Sequence, residues 1–272
     1  MSDVESQNPL AVVLAAGQGT RMKSDLPKVL FPVAGRPMID YVVDALLAGG
    51  VERIVVVVGY RGDDVRKHLS ARPNIEFVEQ TERLGTGHAV QMARPMLRTH
   101  RGPVVIVAGD SPLLQSESVR KLLEEFGRRI GCQPVSTQNA DNDRLEAYPT
   151  ACLLGTLHKA NPQGLGRIVR DSAGEFAGIV EEKDATPEQR QLTEVNMSTY
   201  VFDCEALLYA LDHLKNDNRQ SEFYLTDCPG ILRAAGKVVQ ALPVLQACES
   251  LSINTLDELA AVEEKMRDLG YK

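Results

Sequence analysis

The first hundred residues of this chain alternate short apolar runs with amphipathic stretches, and this alternation limits the folds that the chain can adopt. Four apolar runs predict buried strands: Leu10–Leu14, Ile54–Val58, Ile75–Val78 and Val104–Ala108. Between them, apolar residues recur at helical spacing and the connections are short. Strand and helix in alternation imply right-handed crossovers and a doubly wound, mostly parallel sheet of the α/β class. Ligands bind beyond the carboxyl ends of such strands, so the loops after Leu14, Val78 and Ala108 are the expected site.

The second half has a different pattern from about Gly131 onward. Residues 132–147 are polar and predict an exposed loop. We predict shorter strands near 150–154, 168–170, 176–180 and 198–202, and helices around 206–214, 224–235 and 256–269. Residues 1–272 are expected to form one domain with two lobes and a C-terminal helix: about 8–130, about 131–254, and 255–272.

Composition excludes several classes of protein. Thirty Lys and Arg against thirty-seven Asp and Glu give a formal net charge of −7, which argues against a general nucleic-acid binder. No apolar run reaches the roughly 18–20 residues of a membrane span, and the polar N-terminus lacks the features of a secretion signal. Five cysteines lie far apart without a C-x-x-C pair. We therefore expect a cytoplasmic protein with reduced thiols and no nucleic-acid or membrane partner.

A glycine-rich loop, Ala15-Ala-Gly-Gln-Gly-Thr-Arg21, directly follows the first predicted strand. Its glycines let backbone N–H groups approach a phosphate without obstruction by side chains. It is not a dinucleotide fingerprint, because Met22 stands where the third glycine is needed, and the P-loop pattern is absent. Arg21 and Lys28 supply cations suited to phosphate oxygens. The alternative is a glycine turn flanked by two solvated cations.

The longer string LAAGQGTRMKSDLPKVL, residues 14–30, resembles the signature of sugar-1-phosphate nucleotidyltransferases. The resemblance implies a Rossmann-like fold with a smaller sugar-binding lobe. It implies that Arg21 faces the β- and γ-phosphates of a nucleoside triphosphate and that Lys28 contacts the α-phosphate. It also implies that four loop residues lie against the nucleotide: Leu14, Ala15, Ala16 and Gly17.

The segment Gln80–Ala89, QTERLGTGHA, resembles that of bacterial N-acetylglucosamine-1-phosphate uridyltransferases. The Gln80 amide can both donate to and accept from a uracil edge, and backbone groups at Gly85 and Thr86 would complete the pattern. The alternative is a helix start with Thr86 as N-cap and Gln80 exposed. His88 is assigned a structural role.

Three later segments also resemble this family: GLGRI at 164–168, GIVEEKDA at 178–185 and EVN at 194–196. The resemblance implies that the Gly166 backbone and the Glu181 and Asn196 side chains meet the sugar hydroxyls and the acetamido group. The alternatives are a solvated strand end for Glu181 and a turn residue for Asn196. QSEFYLTD at 220–227 resembles a further family segment that frames the pocket.

A metal site is implied by Asp110, in the sequence Ala-Gly-Asp-Ser-Pro after an apolar run, and by Asn254 near the C-terminus. The resemblance makes both residues Mg²⁺ ligands, with water and phosphate oxygens completing the shell. The alternative is a turn capped by Asp110. The implied reaction is attack of a sugar 1-phosphate on the α-phosphorus of UTP, which releases pyrophosphate. The nucleophile needs no general base, because its second pKa lies near 6.

The sequence departs from the family pattern in three places. Bifunctional relatives continue into a left-handed β-helix that transfers acetyl groups, but no hexapeptide repeat occurs here. Acetyl transfer is therefore not expected, and a monomer is favoured. Residues 132–147 are more polar than in the family. Met197 and Ser198 stand where relatives carry a small hydroxylated residue and glycine, so a Met near the acetamido pocket would alter sugar choice.

Two other functions fit the same motifs. One is a uridylyl- or thymidylyltransferase acting on glucose 1-phosphate or another hexose 1-phosphate. The other is a non-catalytic nucleotide-sugar sensor. The sensor is disfavoured because Arg21, Lys28, Asp110 and Asn254 are all present.

Overall fold

Strands and helices alternate along the chain, as the sequence predicts. A computed structural model describes residues 8–19, 25–130, 150–253 and 255–271. The strands are β1 (Leu10–Ala15), β2 (Pro32–Val33), β3 (Arg36–Pro37), β4 (Arg53–Val58), β5 (Ile75–Glu79), β6 (Pro103–Ala108), β7 (Thr150–His158), β8 (Gly166–Arg170), β9 (Phe176–Val180), β10 (Glu194–Asp203) and β11 (Val238–Leu242). The α-helices are α1 (Met38–Ala48), α2 (Gly62–Leu69), α3 (Thr86–Met92), α4 (Arg94–Leu97), α5 (Ser116–Ile130), α6 (Cys204–Asp212), α7 (Cys228–Ala234) and α8 (Leu256–Asp268).

Within these described ranges, one nine-stranded sheet forms the centre of the molecule. Seven of its strands follow the order β11-β7-β10-β6-β1-β4-β5, and the β8–β9 pair attaches to β10. Strands β6, β1, β4 and β5 are mutually parallel, as are β11 and β7. Strand β10 runs antiparallel to both of its neighbours, β7 and β6. The sheet is therefore mostly parallel, which confirms the predicted α/β class.

Both faces of the central strands are buried, and this explains their continuous apolar sequences. Val12 belongs to the hydrophobic cluster on one face and Val13 to the cluster on the other, because successive side chains of a strand point to opposite sides. Val55 and Val56 of β4 divide in the same way. Helices cover both faces, as a doubly wound parallel sheet requires.

The second half of the chain completes this sheet. Strands β7, β10 and β11 pair with one another and with β6, while β8 and β9 form an antiparallel extension on β10. A smaller hydrophobic cluster lies around Val33 of β2, Tyr41 of α1 and Val262 of α8.

Several boundaries differ from the sequence predictions. Pro37 is the N-cap of α1 and also belongs to strand β3, which pairs with β2. The helix predicted over 224–235 begins as a 3-10 turn at Leu225–Asp227 and becomes α-helical at Cys228. Strand β11 was not predicted. The predicted loop at 132–147 lies outside the described residues.

None of the helices in the described ranges has the length and apolar character needed to cross a membrane. Cys152, Cys204, Cys228 and Cys248 are free and buried, and Cys132 lies outside the described residues.

Candidate active site

A cavity of about 300 Å³ is lined by residues that follow the carboxyl ends of β1, β5 and β6. Because parallel strands end at the same edge of a sheet, loops distant in sequence meet there. The structure brings eight of the predicted nucleotide, metal and phosphate residues to this cavity: Leu14, Ala16, Gly17, Lys28, Gln80, Gly85, Thr86 and Asp110.

Three predicted residues are not placed on this cavity. The side chain of Ala15 belongs to the hydrophobic cluster on the opposite face of β1, because its neighbours Leu14 and Ala16 face the cavity. The contact of Ala15 with the nucleotide stays a prediction, and it would have to come from the backbone. Arg21 and Asn254 lie outside the described residues.

Lys28 and Asp110 form an ion pair on the cavity wall. The Lys28 Nζ atom lies 2.6 Å from Asp110 Oδ2, and the two side chains are 15% and 29% exposed. Lys28 begins a short 3-10 helix, and Asp110 lies two residues beyond the end of β6. The pair places a cation and a carboxylate side by side where loops from three strands converge.

The donor chemistry of Asp110 fits a hard divalent cation. Asp110 uses its Oδ2 atom in the ion pair with Lys28. The carboxylate group belongs to a partly exposed side chain that lines the cavity. Carboxylate oxygens are the ligands that Mg²⁺ prefers. In the described ranges, no group of three or more His, Cys, Asp or Glu side chains is arranged to hold a metal ion.

Gly19 allows the glycine-rich loop to pass directly over Lys28. Its φ is 69°, and a Cβ added there would lie 2.8 Å from the Lys28 Cβ. Any other residue would combine an unfavourable left-handed backbone with a steric clash. The glycine therefore determines how closely the loop approaches the cationic side chain.

Gln80 holds the second loop together. Its Nε2 donates to the Gly85 carbonyl oxygen at 3.0 Å and lies 3.1 Å from His88 Nδ1. A carbonyl oxygen only accepts, so the amide nitrogen must face it, and His88 Nδ1 must then accept as well. Gln80 is 6% exposed, which excludes the alternative of an exposed side chain. Its nitrogen is engaged within the loop, so the carbonyl oxygen is the end of the amide left for a ligand.

The start of α3 is joined to a segment from the second half of the chain. Gly87 N donates to Phe223 O at 2.7 Å, and Phe223 N donates to Leu84 O at 2.7 Å. Gly85 is the N-cap of α3 with a φ of 108°, and Thr86 is the first helical residue. The alternative role of Thr86 as N-cap is therefore wrong. Its hydroxyl instead accepts a hydrogen bond from Leu225 N at 3.1 Å.

The three predicted sugar residues lie together beside this cavity. Gly166 on β8 pairs with Asn196 on β10. A Cβ added to Gly166 would lie 3.6 Å from Asn196 Cβ and 3.7 Å from Glu181 Oε2. We call these three residues the sugar cluster. Asn196 lies within β10 and not in an isolated turn, because the strand continues on both sides of it.

The Glu181 carboxylate is partly buried and faces a second cavity. Its Oε1 accepts from the Thr226 hydroxyl at 3.0 Å. Burial raises the pKa of Glu181, and the hydrogen bond from Thr226 opposes that rise. The second cavity, of about 390 Å³, is lined by Glu181, Asp184, Asp217 and Asp227 among others. Burial and the neighbouring carboxylates raise the pKa of Asp227 to about 6.

Met197 and Ser198 occupy different surroundings. Met197 packs against the hydrophobic cluster that includes Leu157 and Val195, whereas Ser198 lines the first cavity. The influence of Met197 on the choice of sugar stays a prediction. Ser198 is the member of the pair that faces the site.

The sequence did not single out three polar residues that line the first cavity: Arg83, Ser198 and Glu222. Arg83 Nη1 donates to Gln18 Oε1 of the glycine-rich loop at 3.2 Å. Arg83 and Glu222 lie inside segments that resemble the family, so position within those segments was the available signal. Ser198 was noted only as a departure from the family pattern.

A family model for the MobA-like NTP transferase domain matches residues 11–224. The fold, together with this match over more than half of the sequence, defines a nucleotidyltransferase. The chain belongs to the MobA-like NTP transferase domain family.

Similar curated proteins carry the name "Bifunctional protein GlmU". The relative from Exiguobacterium sibiricum is 43% identical over 96% of this chain and 53% of its own length. Those from Bacillus subtilis and Streptococcus agalactiae serotype III are 40% and 42% identical over 95% and 94% of this chain, and over 52% and 51% of their own lengths. The chain thus spans about half the length of the curated relatives it matches. These matches confirm the family relationship that the sequence motifs indicate.

Proposed function

We propose that this chain is a uridylyltransferase that forms UDP-N-acetylglucosamine and pyrophosphate from UTP and N-acetylglucosamine 1-phosphate. One observation carries the proposal. The Lys28–Asp110 pair lies on a cavity lined by the predicted nucleotide residues, and β10 runs from that cavity to the sugar cluster. Transfer of a nucleotidyl group needs both substrates bound side by side, with the nucleotide in the first cavity and the sugar phosphate at the sugar cluster, and β10 links these two places.

The acceptor phosphate needs no activating base. Near neutral pH a phosphate monoester is mostly doubly ionised, because its second pKa lies near 6. Its oxygen attacks the α-phosphorus of UTP, the bond to the β-phosphate oxygen breaks, and pyrophosphate leaves with the electron pair. The protein therefore has to position two anions and to neutralise the charge between them.

Lys28 is the described cation best placed for that neutralisation. Its ammonium group lies on the cavity wall, and Asp110 holds it in place. Preorganised charge in a partly buried site stabilises a transition state without further reorganisation. Arg21, from the glycine-rich loop, is proposed to contact the departing pyrophosphate.

Asp110 and Asn254 are the residues proposed to hold Mg²⁺. When bound, the ion would neutralise negative charge on the phosphate oxygens.

Uracil recognition is proposed for the loop between β5 and α3. The first turn of a helix leaves backbone N–H groups without helical partners, and Thr86 stands at the first position of α3. That N–H can donate to a uracil carbonyl group. The Gln80 carbonyl oxygen, fixed by the bonds of its own nitrogen, can accept from the uracil N3–H group.

A pyrophosphate-release assay with a matrix of substrates tests the proposal. UTP and dTTP are each combined with N-acetylglucosamine 1-phosphate and glucose 1-phosphate, with Mg²⁺ and with EDTA. We expect the highest kcat/KM for UTP with N-acetylglucosamine 1-phosphate, loss of turnover in EDTA, and recovery when Mg²⁺ is added in excess.

Each other outcome contradicts a part of the proposal. A preference for glucose 1-phosphate or dTTP would assign the chain to the related hexose-phosphate enzymes. Binding of UDP-N-acetylglucosamine without pyrophosphate release in any combination would indicate a nucleotide-sugar sensor. Full activity in EDTA would remove the metal from the mechanism.

A further inference from the structure

Strand β10 contains a bulge directly after Asn196. Asn196 pairs with Thr156 of β7. The next pair in the ladder joins Thr199 to Gly155, so the two residues between are left out of the register. One of them, Ser198, adopts a left-handed φ of 55°. A bulge redirects the side chains of its strand and is common beside functional sites.

The bulge brings Tyr200 close to Asn196. Four residues of regular strand would separate their Cα atoms by roughly 13 Å, because a strand advances about 3.3 Å per residue. Their partners on β7 are Leu154 and Thr156, which are only two ladder positions, or roughly 7 Å, apart. The two side chains therefore share one face of the sheet and meet. Asn196 Nδ2 donates to the Tyr200 hydroxyl at 2.7 Å.

Packing does not explain the hydroxyl group of Tyr200. Its ring is fully buried in the hydrophobic cluster on one face of the sheet, and its centroid lies 5.7 Å from that of Phe202. Phe202 fills the same cluster from the same strand without a hydroxyl. A buried hydroxyl costs stability unless it is hydrogen-bonded. The Asn196 amide supplies that bond, so the hydroxyl and the amide depend on each other.

The Asn196 amide is held at both of its ends. The Ser198 backbone N–H, which any residue except proline would supply, donates to Asn196 Oδ1 at 3.2 Å. An amide has two N–H groups and an oxygen that can accept two hydrogen bonds. The bonds within the described part of the chain use one N–H group and one lone pair, and they leave one of each. An acetamido group offers one carbonyl oxygen and one N–H group, which complement that pair.

We propose that Tyr200 is a positioning residue for the acceptor, whose hydroxyl holds the Asn196 amide in the orientation that an acetamido sugar requires. This inference rests on the proposed function, because it assigns the sugar cluster to the acceptor. Tyr200 is fully buried, so it acts through Asn196 and not by touching the sugar. A sugar with a hydroxyl group in place of the acetamido group depends less on this orientation, because a hydroxyl group can rotate to donate or accept.

One isosteric substitution and one matched control test the proposal. Tyr200→Phe removes the hydroxyl and keeps the ring. Tyr41→Phe is the control, because the Tyr41 hydroxyl is also buried and donates to the Val33 carbonyl oxygen at 2.9 Å, and neither residue lines either cavity. Asn196→Ala, alone and combined with Tyr200→Phe, completes a double-mutant cycle.

Two measurements are made on each variant. Values of kcat/KM are determined with N-acetylglucosamine 1-phosphate and with glucose 1-phosphate at saturating UTP. The affinities for UDP-N-acetylglucosamine and UDP-glucose are determined by calorimetry. The ratio between the two sugars, in either measurement, gives the preference for the acetamido group.

We expect Tyr200→Phe to reduce this preference by about three- to tenfold, the factor associated with one lost hydrogen bond. The KM for the sugar phosphate should rise while the KM for UTP changes little, and Tyr41→Phe should keep both wild-type values. In the Asn196→Ala background, Tyr200→Phe should have no further effect on the preference, because the residue through which it acts is gone. An unchanged preference in Tyr200→Phe, or an equal loss in both backgrounds, overturns the proposal.

A spectroscopic measurement separates this inference from the proposed function. The NMR signals of the Asn196 side-chain amide, identified by their loss in Asn196→Ala, should show faster hydrogen exchange in Tyr200→Phe and no change in Tyr41→Phe. If no substrate pair yields pyrophosphate and neither UDP-sugar binds, the proposed function fails, yet the exchange rates still decide whether Tyr200 holds the amide. If turnover follows the proposed function but neither preference nor exchange changes in Tyr200→Phe, only the assignment of Tyr200 fails.

Discussion

Replacing Lys28 by methionine separates two roles that its ammonium group can have. In one role it neutralises charge on the reacting phosphates; in the other it only balances the Asp110 carboxylate at 2.6 Å. Methionine keeps an unbranched stem of similar length and removes the charge. A catalytic role predicts a large loss of turnover with a small loss of stability, whereas a structural role predicts the reverse.

The geometry of the pair sets the expected magnitudes. Exposures of 15% and 29% place it between a surface ion pair and a buried one. We expect Lys28→Met to destabilise the fold by about 1–2 kcal/mol, which lowers the melting temperature by only a few degrees in a chain of this size. Removal of one preorganised electrostatic contact lowers kcat in other enzymes by about a hundred- to a thousandfold. We expect a loss of at least a hundredfold here.

The assay is pyrophosphate release under saturating substrates, combined with thermal melting of each variant. Arg53→Met is the matched control, because it breaks the Arg53–Glu76 ion pair at the start of β4, away from the cavity. It should leave turnover unchanged. Lys28→Met with Asp110→Asn should recover the lost stability without recovering turnover. Turnover of Lys28→Met within threefold of wild type would refute the catalytic role.

Three further predictions concern other parts of the site. Gly85→Ala should destabilise the fold and raise the KM for UTP, because the added Cβ would lie 2.5 Å from the Phe223 carbonyl oxygen. Gly236→Ala is the control: its φ is 73° and no atom lies near the added Cβ, so in the same melting assay it should lose only the stability that a left-handed alanine backbone costs. The pKa of Asp227 is raised from 3.8 to about 6, so its folded state holds a proton more tightly, and its contribution to stability is present below about pH 4 and lost as the pH rises through 6. Asp227→Asn should therefore gain stability relative to wild type above pH 6 and match it near pH 4 in urea unfolding, and equal differences at both pH values would contradict this. Glu181→Gln should raise the KM for the sugar phosphate by about tenfold with little effect on the KM for UTP, and equal effects on both would remove Glu181 from the acceptor site.

The sequence predicted best the strands that are buried on both faces. Ile54–Val58 is apolar without interruption because helices cover both sides of β4. Strand β11 could not be predicted in this way, because Gln240 interrupts a short edge strand in which only Val239 and Ala241 are buried. The pattern of β11 alone does not distinguish it from a loop.

Strand β10 was predicted to start at Ser198 but begins at Glu194. Polar residues such as Glu194 are tolerated inside the sheet because partners distant in sequence satisfy them. The Glu194 carboxylate accepts from the Thr156 hydroxyl and from the Arg170 guanidinium, each at 2.7 Å. Local sequence carries no information on such partners, so the strand was cut short.

The candidate site was predictable where it depends on strand ends and not where it depends on tertiary contacts. Gln80 and Asp110 reach one cavity because β5 and β6 end at one edge of the sheet. Glu222 reaches it because backbone hydrogen bonds join the adjacent Phe223 to Leu84 and Gly87, which are distant in sequence. The orientation of the Gln80 amide is likewise set by the Gly85 carbonyl, which no sequence motif specifies.

The place of β10 in the sheet bears on whether the two halves can be treated as exchangeable modules. A fragment ending near residue 130 would lose the partner of β6 and present an open row of backbone groups, a common cause of aggregation. It would also lack Ser198 and Glu222. Chimaeras that graft a new C-terminal half onto this N-terminal half should therefore place their junctions outside β10 and carry the whole strand with one parent.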